Sequence, residues 1–287
     1  MADMRQHTLL AGSLVLAVLL LTMGPTVGTA ADQIPPSGST VQVASTLDLA
    51  PLDMVDQQGN ATGFELDVVQ AVMKQLGYKI EWVKTPFEQA FTGLLAGKYR
   101  FNASAIYTRC TRVQNTDKYG QFTVPVGQAS QAVTTLAQNA PAVRSYADLK
   151  GKALGVESAG STADGLADKH ASAGFTKQIF PDNNALFLAL QQGRVYAAGQ
   201  STDVTLYTIR EKPQMKVAFI VPDSTLTYGW IFRDGDPLRV KVNETINALK
   251  KNGTTAEIYK KWFGANPDPS DAAVAILPEV TPQNCRG

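Results

Sequence analysis

The chain has 287 residues, and its 26 basic and 25 acidic side chains leave a net charge of +1. That balance excludes the global field with which a protein recruits nucleic acid or an anionic membrane, so we expect a small or specific partner. The two histidines, His7 and His170, are too few for a histidine metal site or a serine–histidine nucleophile, and we expect neither a metal nor a cofactor.

The first thirty residues are predicted to be a secretory signal and not part of the fold. Arg5 supplies the positive start, residues 9–21 form an apolar run too short to span a bilayer comfortably, and residues 28–30 offer a small-residue cleavage site. If this segment stayed as a membrane anchor instead, the rest of the chain would still lie outside the cytoplasmic membrane. What remains is long enough for two cores of about 100 to 150 residues each.

The first half of the exported chain predicts alternating strands and helices. Residues 41–46 are typical of a strand, and residues 64–76 of a helix that buries one apolar face and stops at Gly77. Alternation of apolar and charged residues over 78–82 indicates a second strand, half covered by that helix.

A second helix is predicted to begin at residues 85–88, where a threonine and a glutamate form a capping box and a proline takes the first helical position. Gly97 ends this helix, and residues 99–104 re-enter the sheet as a strand. The loop that follows is predicted to contact a ligand, because open α/β sheets hold small molecules at the carboxyl ends of their strands.

A second copy of this plan occurs later in the chain. Asp182 caps a further helix, and residues 193–198 repeat the pattern of residues 97–102. The repetition predicts an α/β protein with two lobes of one design.

Two long extended stretches, 122–136 and 225–232, are predicted to cross between the lobes. Lobe 1 would then consist of residues 38–127 and 228–287, and lobe 2 of residues 128–227. Two parallel connections form a hinge, and such a hinge lets two lobes close over a ligand.

The only cysteines are Cys110 and Cys285. Because an exported protein folds in an oxidising compartment, one disulfide is favoured over two unrelated buried thiols. Sequence spacing does not test the geometry of the bridge.

With these motifs laid out, the chain up to Gly264 resembles the extracytoplasmic solute-binding proteins of ABC importers, in the polar amino acid family. Several short motifs in this order carry the resemblance: residues 63–67 (GFELD), 94–99 (LLAGKY), Arg112 with Asp117, 147–152 (ADLKGK), 191–194 (QQGR), 228–229 (YG), 252–254 (NGT) and 258–264 (IYKKWFG). The resemblance implies a periplasmic protein with two α/β lobes, a ligand cleft between them and a membrane permease as partner.

The resemblance implies that Arg112 holds the α-carboxylate of the ligand, a task that suits a planar guanidinium with fixed donors. Arg109, three residues earlier, is a rival for this position. A solvated arginine on a short helix is the plainer interpretation of Arg112.

The loop that begins at Glu157 is expected to grip the same carboxylate from lobe 2. Ser161 and Thr162 open a helix there, and the unpaired backbone N–H groups of a helix start bind anions. Ser161 is also expected to cap its helix, with Asp164 three residues later, and capping is compatible with ligand contact.

Three further positions in lobe 1 match places where family members contact their ligand. Ala105 and Tyr107 fall where relatives offer a carbonyl and a small hydroxyl residue, and Phe87 falls where they stack an aromatic ring. Phe87 is equally suited to be the hydrophobic entry of its helix. Tyr107 and Ala105 both take up room, which favours a compact ligand, including a quaternary amine held by cation–π contact.

The sequence departs from the family at the acids that meet the ligand ammonium. Ser201 stands at the position of the lobe-2 aspartate, and Thr46 at that of a second acid near the end of the first strand. A buried ammonium without a carboxylate would cost several kcal/mol. Either Glu157 or Asp203 therefore substitutes, or the ligand lacks that group.

The added segment after Gly264 is predicted to wrap lobe 1. A Cys110–Cys285 bridge would pin it beside Arg112 and restrict the loop that carries this arginine.

Taken together, we expect a monomeric binding protein that captures a small polar, carboxylate-bearing metabolite and performs no chemistry on it. Two alternatives stay open. One is an exported dehydratase on the same scaffold, with Glu157 as general acid. The other is a sensor or accessory subunit that serves a membrane receptor or an exported dehydrogenase.

Overall fold

We describe residues 33–286 from a computed structural model. The predicted secretory signal, residues 1–30, lies outside the described residues. Within the described range, no helix combines the length and the apolar character needed to cross a membrane.

Short strands and helices alternate along the chain. The strands are β1 (Thr40–Ser45), β2 (Asp48–Leu49), β3 (Asp53–Val55), β4 (Ala61–Thr62), β5 (Lys79–Lys84), β6 (Phe101–Tyr107), β7 (Gln121–Phe122), β8 (Gly127–Ala129), β9 (Gln131–Leu136), β10 (Ala153–Glu157), β11 (Thr176–Phe180), β12 (Ala197–Ser201), β13 (Met215–Ile220) and β14 (Leu226–Phe232). The α-helices are α1 (Phe64–Gln75), α2 (Ala90–Leu95), α3 (Cys110–Val113), α4 (Thr116–Tyr119), α5 (Thr162–Lys169), α6 (Asn183–Gln191), α7 (Thr202–Ile209), α8 (Pro237–Lys251) and α9 (Thr254–Phe263). Single 3₁₀ turns form at Phe87–Gln89, Ala140–Ala142, Tyr146–Leu149 and Ala171–Ala173.

Lobe 1 is built on a sheet with the strand order β5-β1-β6-β14-β7, and β8 pairs with β14 beyond this path. Strands β5, β1 and β6 run parallel, and β14 runs antiparallel to β6. Helices α1, α8 and α9 pack on one face of the sheet, where Trp230, Phe101 and Phe232 form a stacked aromatic core. The parallel strands β1 and β6 end at the same edge, which places Thr46 and Tyr107 there.

Lobe 2 repeats the plan on a sheet with the order β11-β10-β12-β9-β13. Strands β11, β10 and β12 are parallel, so Glu157 at the end of β10 and Ser201 at the end of β12 share one edge of the sheet. The predicted α/β architecture with two lobes is confirmed.

The chain passes from lobe 1 to lobe 2 at Ser130 and returns through residues 221–225. Two hydrogen bonds join these passages. The hydroxyl groups of Ser130 and Thr225 lie 2.7 Å apart, and the Gln131 amide donates to Ser224 Oγ at 2.9 Å. The division of the chain at 127/128 and 227/228 stays a prediction.

Helix α1 shows why the first motif begins with glycine. Gly63 has φ 139°, and a Cβ at this position would lie 2.2 Å from the carbonyl oxygen of Leu52. The close approach lets the Phe64 and Glu65 amides donate to the carbonyl groups of Pro51 and Leu52, at 2.8 and 3.0 Å. The first turn of α1 is thereby fixed beside the edge where the strands end.

The predicted capping box at the second helix is wrong. Pro86 is extended (φ −55°, ψ 142°), and the chain makes a 3₁₀ turn over Phe87–Gln89 before α2 begins, with no side-chain cap. Thr85 instead donates its hydroxyl to the carbonyl group of Val83 at 3.3 Å. The extended residue delays the helix by one short turn and leaves Phe87 at the cleft.

The described part of the C-terminal tail, residues 265–286, lies along lobe 1. Glu279 accepts from Asn243 Nδ2 at 2.6 Å and forms an ion pair of 2.9 Å with Arg239. The predicted disulfide is confirmed, since Cys110 and Cys285 are bonded with their Cα atoms 5.1 Å apart.

Candidate functional site

A cavity of about 40 Å³ lies between the lobes, where the strand ends of both sheets meet. All eight residues predicted to contact a ligand line it. The complete lining is Thr46, Leu49, Leu52, Phe87, Ser104, Ala105, Tyr107, Arg112, Gln131, Glu157, Ser161, Thr162, Ala163, Gln200 and Ser201. Among the described residues, Arg112 and Glu157 are its only charged lining groups.

Arg112 is buried at the lobe-1 side of this cavity. Its Nη1 donates to the Tyr107 carbonyl at 3.0 Å, and its Nη2 donates across the cleft to the Gly160 carbonyl at 2.8 Å. The guanidinium also lies over the rings of Phe87 and Phe91, at 5.6 and 5.4 Å from their centroids. The cation is thus held by carbonyl groups and aromatic faces, and no carboxylate within residues 33–286 pairs with it.

The electrostatic state of Arg112 follows from this environment. Burial, reinforced by the positive charge of Arg109, lowers the pKa of the guanidinium to about 9. A buried cation without a counter-charge is costly, and an anion delivered to the cavity would relieve that cost.

Arg109 lies outside the cavity, although it is only three residues away. Its Nη1 donates to the carbonyl oxygens of Ser161 and Gly160, at 3.2 and 3.4 Å. The two arginines diverge because Arg109 is extended and α3 begins only at Cys110. Of the two candidates for a carboxylate anchor, Arg112 alone lines the cavity.

The lobe-2 side of the cavity includes the start of α5. Ser161 caps this helix as predicted, accepting from the Asp164 amide at 3.1 Å, while Asp164 accepts from the Gly160 amide at 2.8 Å. The Thr162 hydroxyl is buried without a partner among the described residues. The amides of Thr162 and Ala163 belong to the first helical turn, whose N–H groups have no intrahelical acceptor.

Glu157 is the only carboxylic acid that lines the cavity within the described part of the chain. Burial raises its pKa to about 7; the hydrogen bond from Gln200 opposes this shift, and the neighbouring carboxylates of Asp48, Asp53 and Asp182 reinforce it. A cationic group in the cavity would favour the ionised form.

Gln200 holds Glu157 in place, and the sequence analysis missed it. Its Oε1 accepts from the Ser201 amide at 2.7 Å, which fixes the orientation of the side-chain amide. Its Nε2 then donates to Glu157 Oε2 at 2.9 Å and to Asn183 Oδ1 at 3.1 Å. The sequence could have indicated Gln200 by its position, because it directly precedes Ser201 at the end of a parallel strand.

Asp203 does not take part in the cavity. It is the second residue of α7, and its carboxylate folds back to accept from the Val204 amide at 2.8 Å. Of the two acids considered as substitutes for Ser201, the structure therefore brings only Glu157 to the cavity.

Two buried acids lie directly behind the lobe-1 wall. Asp53 accepts from the Thr46 hydroxyl at 2.8 Å, and Glu65 accepts from the Ala105 amide at 2.6 Å. Burial raises the pKa of both, that of Asp53 to about 7. Ala105 has φ 46°, a left-handed conformation that is rare for residues other than glycine, and its bond to Glu65 helps to hold it there.

Tyr107, the last residue of β6, lines the cavity on the side next to strand β14. Its ring makes an edge contact with Tyr228 at 5.6 Å, and its hydroxyl is buried without a partner among the described residues. Burial raises the pKa of this phenol well above its ordinary value, so the group is a neutral hydroxyl at physiological pH.

Comparisons with known proteins find related sequences and related structures. The family model for bacterial extracellular solute-binding proteins, family 3, matches residues 41–265. A probable amino-acid ABC transporter-binding protein of Haemophilus influenzae is 28% identical over 228 residues, covering 78% of this chain and 85% of the relative. A solved ancestral arginine-binding protein bound to glutamine is 30% identical, with a TM-score of 0.71, covering 79% of this chain and 98% of that one. The ancestral amino acid-binding protein AncCDT-1, described as a precursor of cyclohexadienyl dehydratase, is 27% identical, with a TM-score of 0.71 and coverages of 78% and 95%.

Proposed function

The chain belongs to the bacterial extracellular solute-binding proteins of family 3, and we propose that it captures a compact amino acid or related zwitterion in the periplasm and delivers it to the permease of an ABC importer. One observation carries this proposal. Within residues 33–286, the cavity between the lobes holds on one side a guanidinium that no carboxylate pairs with, and on the other a single carboxyl group. A zwitterion carries the two charges that complement them.

The ligand carboxylate is assigned to Arg112. A bidentate pair with the guanidinium would replace its present bonds to the carbonyl groups of Tyr107 and Gly160. The first-turn amides of Thr162 and Ala163 would contribute from lobe 2, because helix starts bind anions. The carboxylate would then bridge the two lobes.

The cationic group of the ligand is assigned to Glu157. Gln200 already uses Glu157 Oε2, which leaves Oε1 for the ligand. On the lobe-1 side, the Thr46 hydroxyl donates to Asp53, so its oxygen lone pairs stay available as acceptors for the same cation. This arrangement replaces the family acids that are absent at Thr46 and Ser201.

Closure over the ligand is the proposed mechanism of capture. A ligand shifts an equilibrium only by its differential affinity for the two states, and contacts from both lobes exist only when the lobes are together. Tyr107 and Ala105 line the lobe-1 side of this small cavity, which favours a compact ligand.

The test is a thermal-shift and calorimetric screen of protein stripped of ligand, with the twenty protein amino acids and glycine betaine. Each hit is compared with the matched compound that lacks the amine, such as propionate for alanine, and with the matched amine that lacks the carboxylate. A zwitterion that binds at least tenfold tighter than either of its two matched compounds supports the proposal. Equal binding of the amine-free carboxylate would overturn the role of Glu157 and leave that of Arg112.

The dehydratase alternative is less well supported. Glu157 is the only carboxylic acid lining the cavity in the described part of the chain, so no second carboxyl group is present there to act as a general base. Incubation with prephenate-like acids, followed by product analysis, separates catalysis from binding. Reconstitution with the permease separates delivery from a sensory or accessory role.

A further inference from the structure

Arg109 makes polar contacts that join the lobes across the cleft, and it does not line the cavity. It projects from lobe 1 and donates to the Ser161 and Gly160 carbonyl groups, which belong to the loop before α5 of lobe 2. Because Arg109 does not line the cavity, these bonds are not contacts to a ligand. They exist only while the lobes are together.

The guanidinium of Arg109 packs against Gly165. This glycine lies in the first half of α5, where alanine would be the better helix former. A Cβ at Gly165 would lie 2.6 Å from Arg109 Nη2 and 3.1 Å from Cζ. The absence of a side chain there lets the guanidinium of one lobe lie flat against a helix of the other.

The C-terminal tail holds the segment from which Arg109 projects. Arg109 and Arg286 form a parallel β-bridge, and the Cys110 amide donates to the Arg286 carbonyl at 3.2 Å. The disulfide from Cys110 to Cys285 ties the same segment covalently. The hydrogen-bonded bridge, of which the Cys110 to Arg286 bond is part, and the disulfide therefore join the tail to residues 109–110.

The tail is itself fixed to the body of lobe 1. Lys250 donates to the Ala275 carbonyl at 2.9 Å and to the Pro125 carbonyl at 2.7 Å. Val280 and Cys285 pack against the apolar cluster that includes Leu94 and Phe122. A displacement of residues 109–110 would thus have to move the tail as well.

We propose that Arg109 is a latch between the lobes, seated on Gly165 and positioned by the disulfide-bonded tail, that stabilises the closed state without touching the ligand. This inference rests on the proposed function only in so far as closure accompanies capture. Apparent affinity scales with the population of the binding-competent state, so a weaker latch weakens binding while the contacts to the ligand stay intact.

The decisive variant is Gly165→Ala. Alanine favours the helix, so the melting temperature of the ligand-free protein should stay the same or rise. The added methyl group displaces the end of a flexible side chain and no backbone, so the latch moves while the fold is kept. The dissociation constant, measured by calorimetry for whichever of the twenty amino acids gives the largest shift in the wild type, should rise about five- to thirtyfold. A purely structural role would move stability and affinity in the same direction.

A double-mutant cycle provides the control. If alanine at Gly165 acts through Arg109, then the variant that combines Arg109→Ala with Gly165→Ala binds as the Arg109→Ala variant does. The tail is tested by the paired change Cys110→Ser and Cys285→Ser, which should also weaken binding several-fold. An unchanged constant in that variant removes the tail from the mechanism, and an unchanged constant in Gly165→Ala overturns the latch.

A ligand-free measurement keeps this test separate from that of the function. A nitroxide on a noncanonical residue at the exposed position Ala171 broadens lobe-1 amide signals in proportion to the closed population, even when that state is minor. Gly165→Ala should reduce the broadening. If no amino acid shifts the wild type, the proposed function fails, and this measurement alone decides on the latch: undiminished broadening refutes it.

Discussion

Replacement of Glu157 by Gln tests the charge assignment of the cavity most directly. Gln200 Nε2 donates to Glu157 Oε2 at 2.9 Å, and its amide orientation is fixed by the bond from the Ser201 amide to Oε1. A glutamine at this position must therefore turn its oxygen to Gln200 and its NH₂ group to the cavity. The substitution keeps the size of the side chain and presents a donor to the ligand cation.

The expected loss can be estimated from the buried pair. Truncation of one partner of a buried, hydrogen-bonded charge pair costs about 2 to 5 kcal/mol. Because Glu157 retains some exposure, we take the lower part of this range, about 2 to 3 kcal/mol, which is roughly 30- to 150-fold in Kd at pH 8. An amine-free carboxylate should bind Glu157→Gln as well as the wild type or better, because the variant removes a negative charge from its path.

The pH dependence supplies an independent signature. The pKa of Glu157 is about 7, so at pH 5 only about one molecule in a hundred carries the charge that the ligand cation needs. Affinity of the wild type should therefore fall about 100-fold between pH 8 and pH 5. Calorimetry in buffers of different ionisation enthalpy should detect one proton released per ligand near pH 6. In Glu157→Gln both effects should vanish.

Two results would refute this reasoning. One is a wild-type Kd that is equal at pH 5 and pH 8 with no proton release. The other is a Glu157→Gln variant that binds the zwitterion with unchanged affinity. Asp53→Asn is the matched control, because Asp53 has a pKa near the same value but lies behind Thr46, outside the cavity.

Three further predictions follow from the same structure. Burial raises the pKa of Asp53 to about 7, so the native state keeps the Asp53 proton between about pH 4 and pH 7, and the stability of the protein falls as pH rises through that window. Asp53→Asn should therefore raise the free energy of unfolding at pH 8 by about 2 to 4 kcal/mol and leave it unchanged at pH 4. Urea titration at the two pH values measures this difference. Arg112→Lys keeps the positive charge but loses the paired N–H donors of the guanidinium, so the Kd of the ligand should rise at least about tenfold. A Kd equal to that of the wild type would rule out bidentate binding of the ligand carboxylate. Tyr107→Ser should admit longer side chains in the amino acid screen, and an unaltered ligand profile would exclude Tyr107 as the size limit.

The sequence predicts the parts of the site that depend on strand ends. Parallel strands bring Tyr107 in one lobe and Glu157 and Ser201 in the other to the sheet edges that face the cleft, and the motif order was sufficient to place them. The choice between Glu157 and Asp203 was not predictable. It depends on a carboxylate that folds back to its own helix start, an interaction that leaves no periodic pattern.

Local backbone conformation accounts for the remaining differences. Thr85 and Glu88 have the spacing of a capping box, but an extended Pro86 converts the expected helix start into a 3₁₀ turn. Arg109 and Arg112 look equivalent in sequence, and the extended conformation of Arg109 sends the two side chains to different places. The tail has no motif at all, and its role follows only from where Cys285 and Arg286 meet the arginine segment.

The charged groups that line the cleft argue for a zwitterion over any ligand of single charge. Arg112 is buried with carbonyl groups as its only hydrogen-bond partners in residues 33–286, and burial lowers its pKa to about 9. Glu157 lies in the same cavity without a cation, and burial raises its pKa to about 7. Each group is thus biased toward its neutral form, and each opposite charge that a ligand brings reverses one of these biases. A ligand with only a carboxylate leaves the acid uncompensated and adds repulsion to it, whereas a zwitterion supplies an opposite charge to both groups at once. Selection against singly charged analogues therefore follows from desolvation as much as from shape.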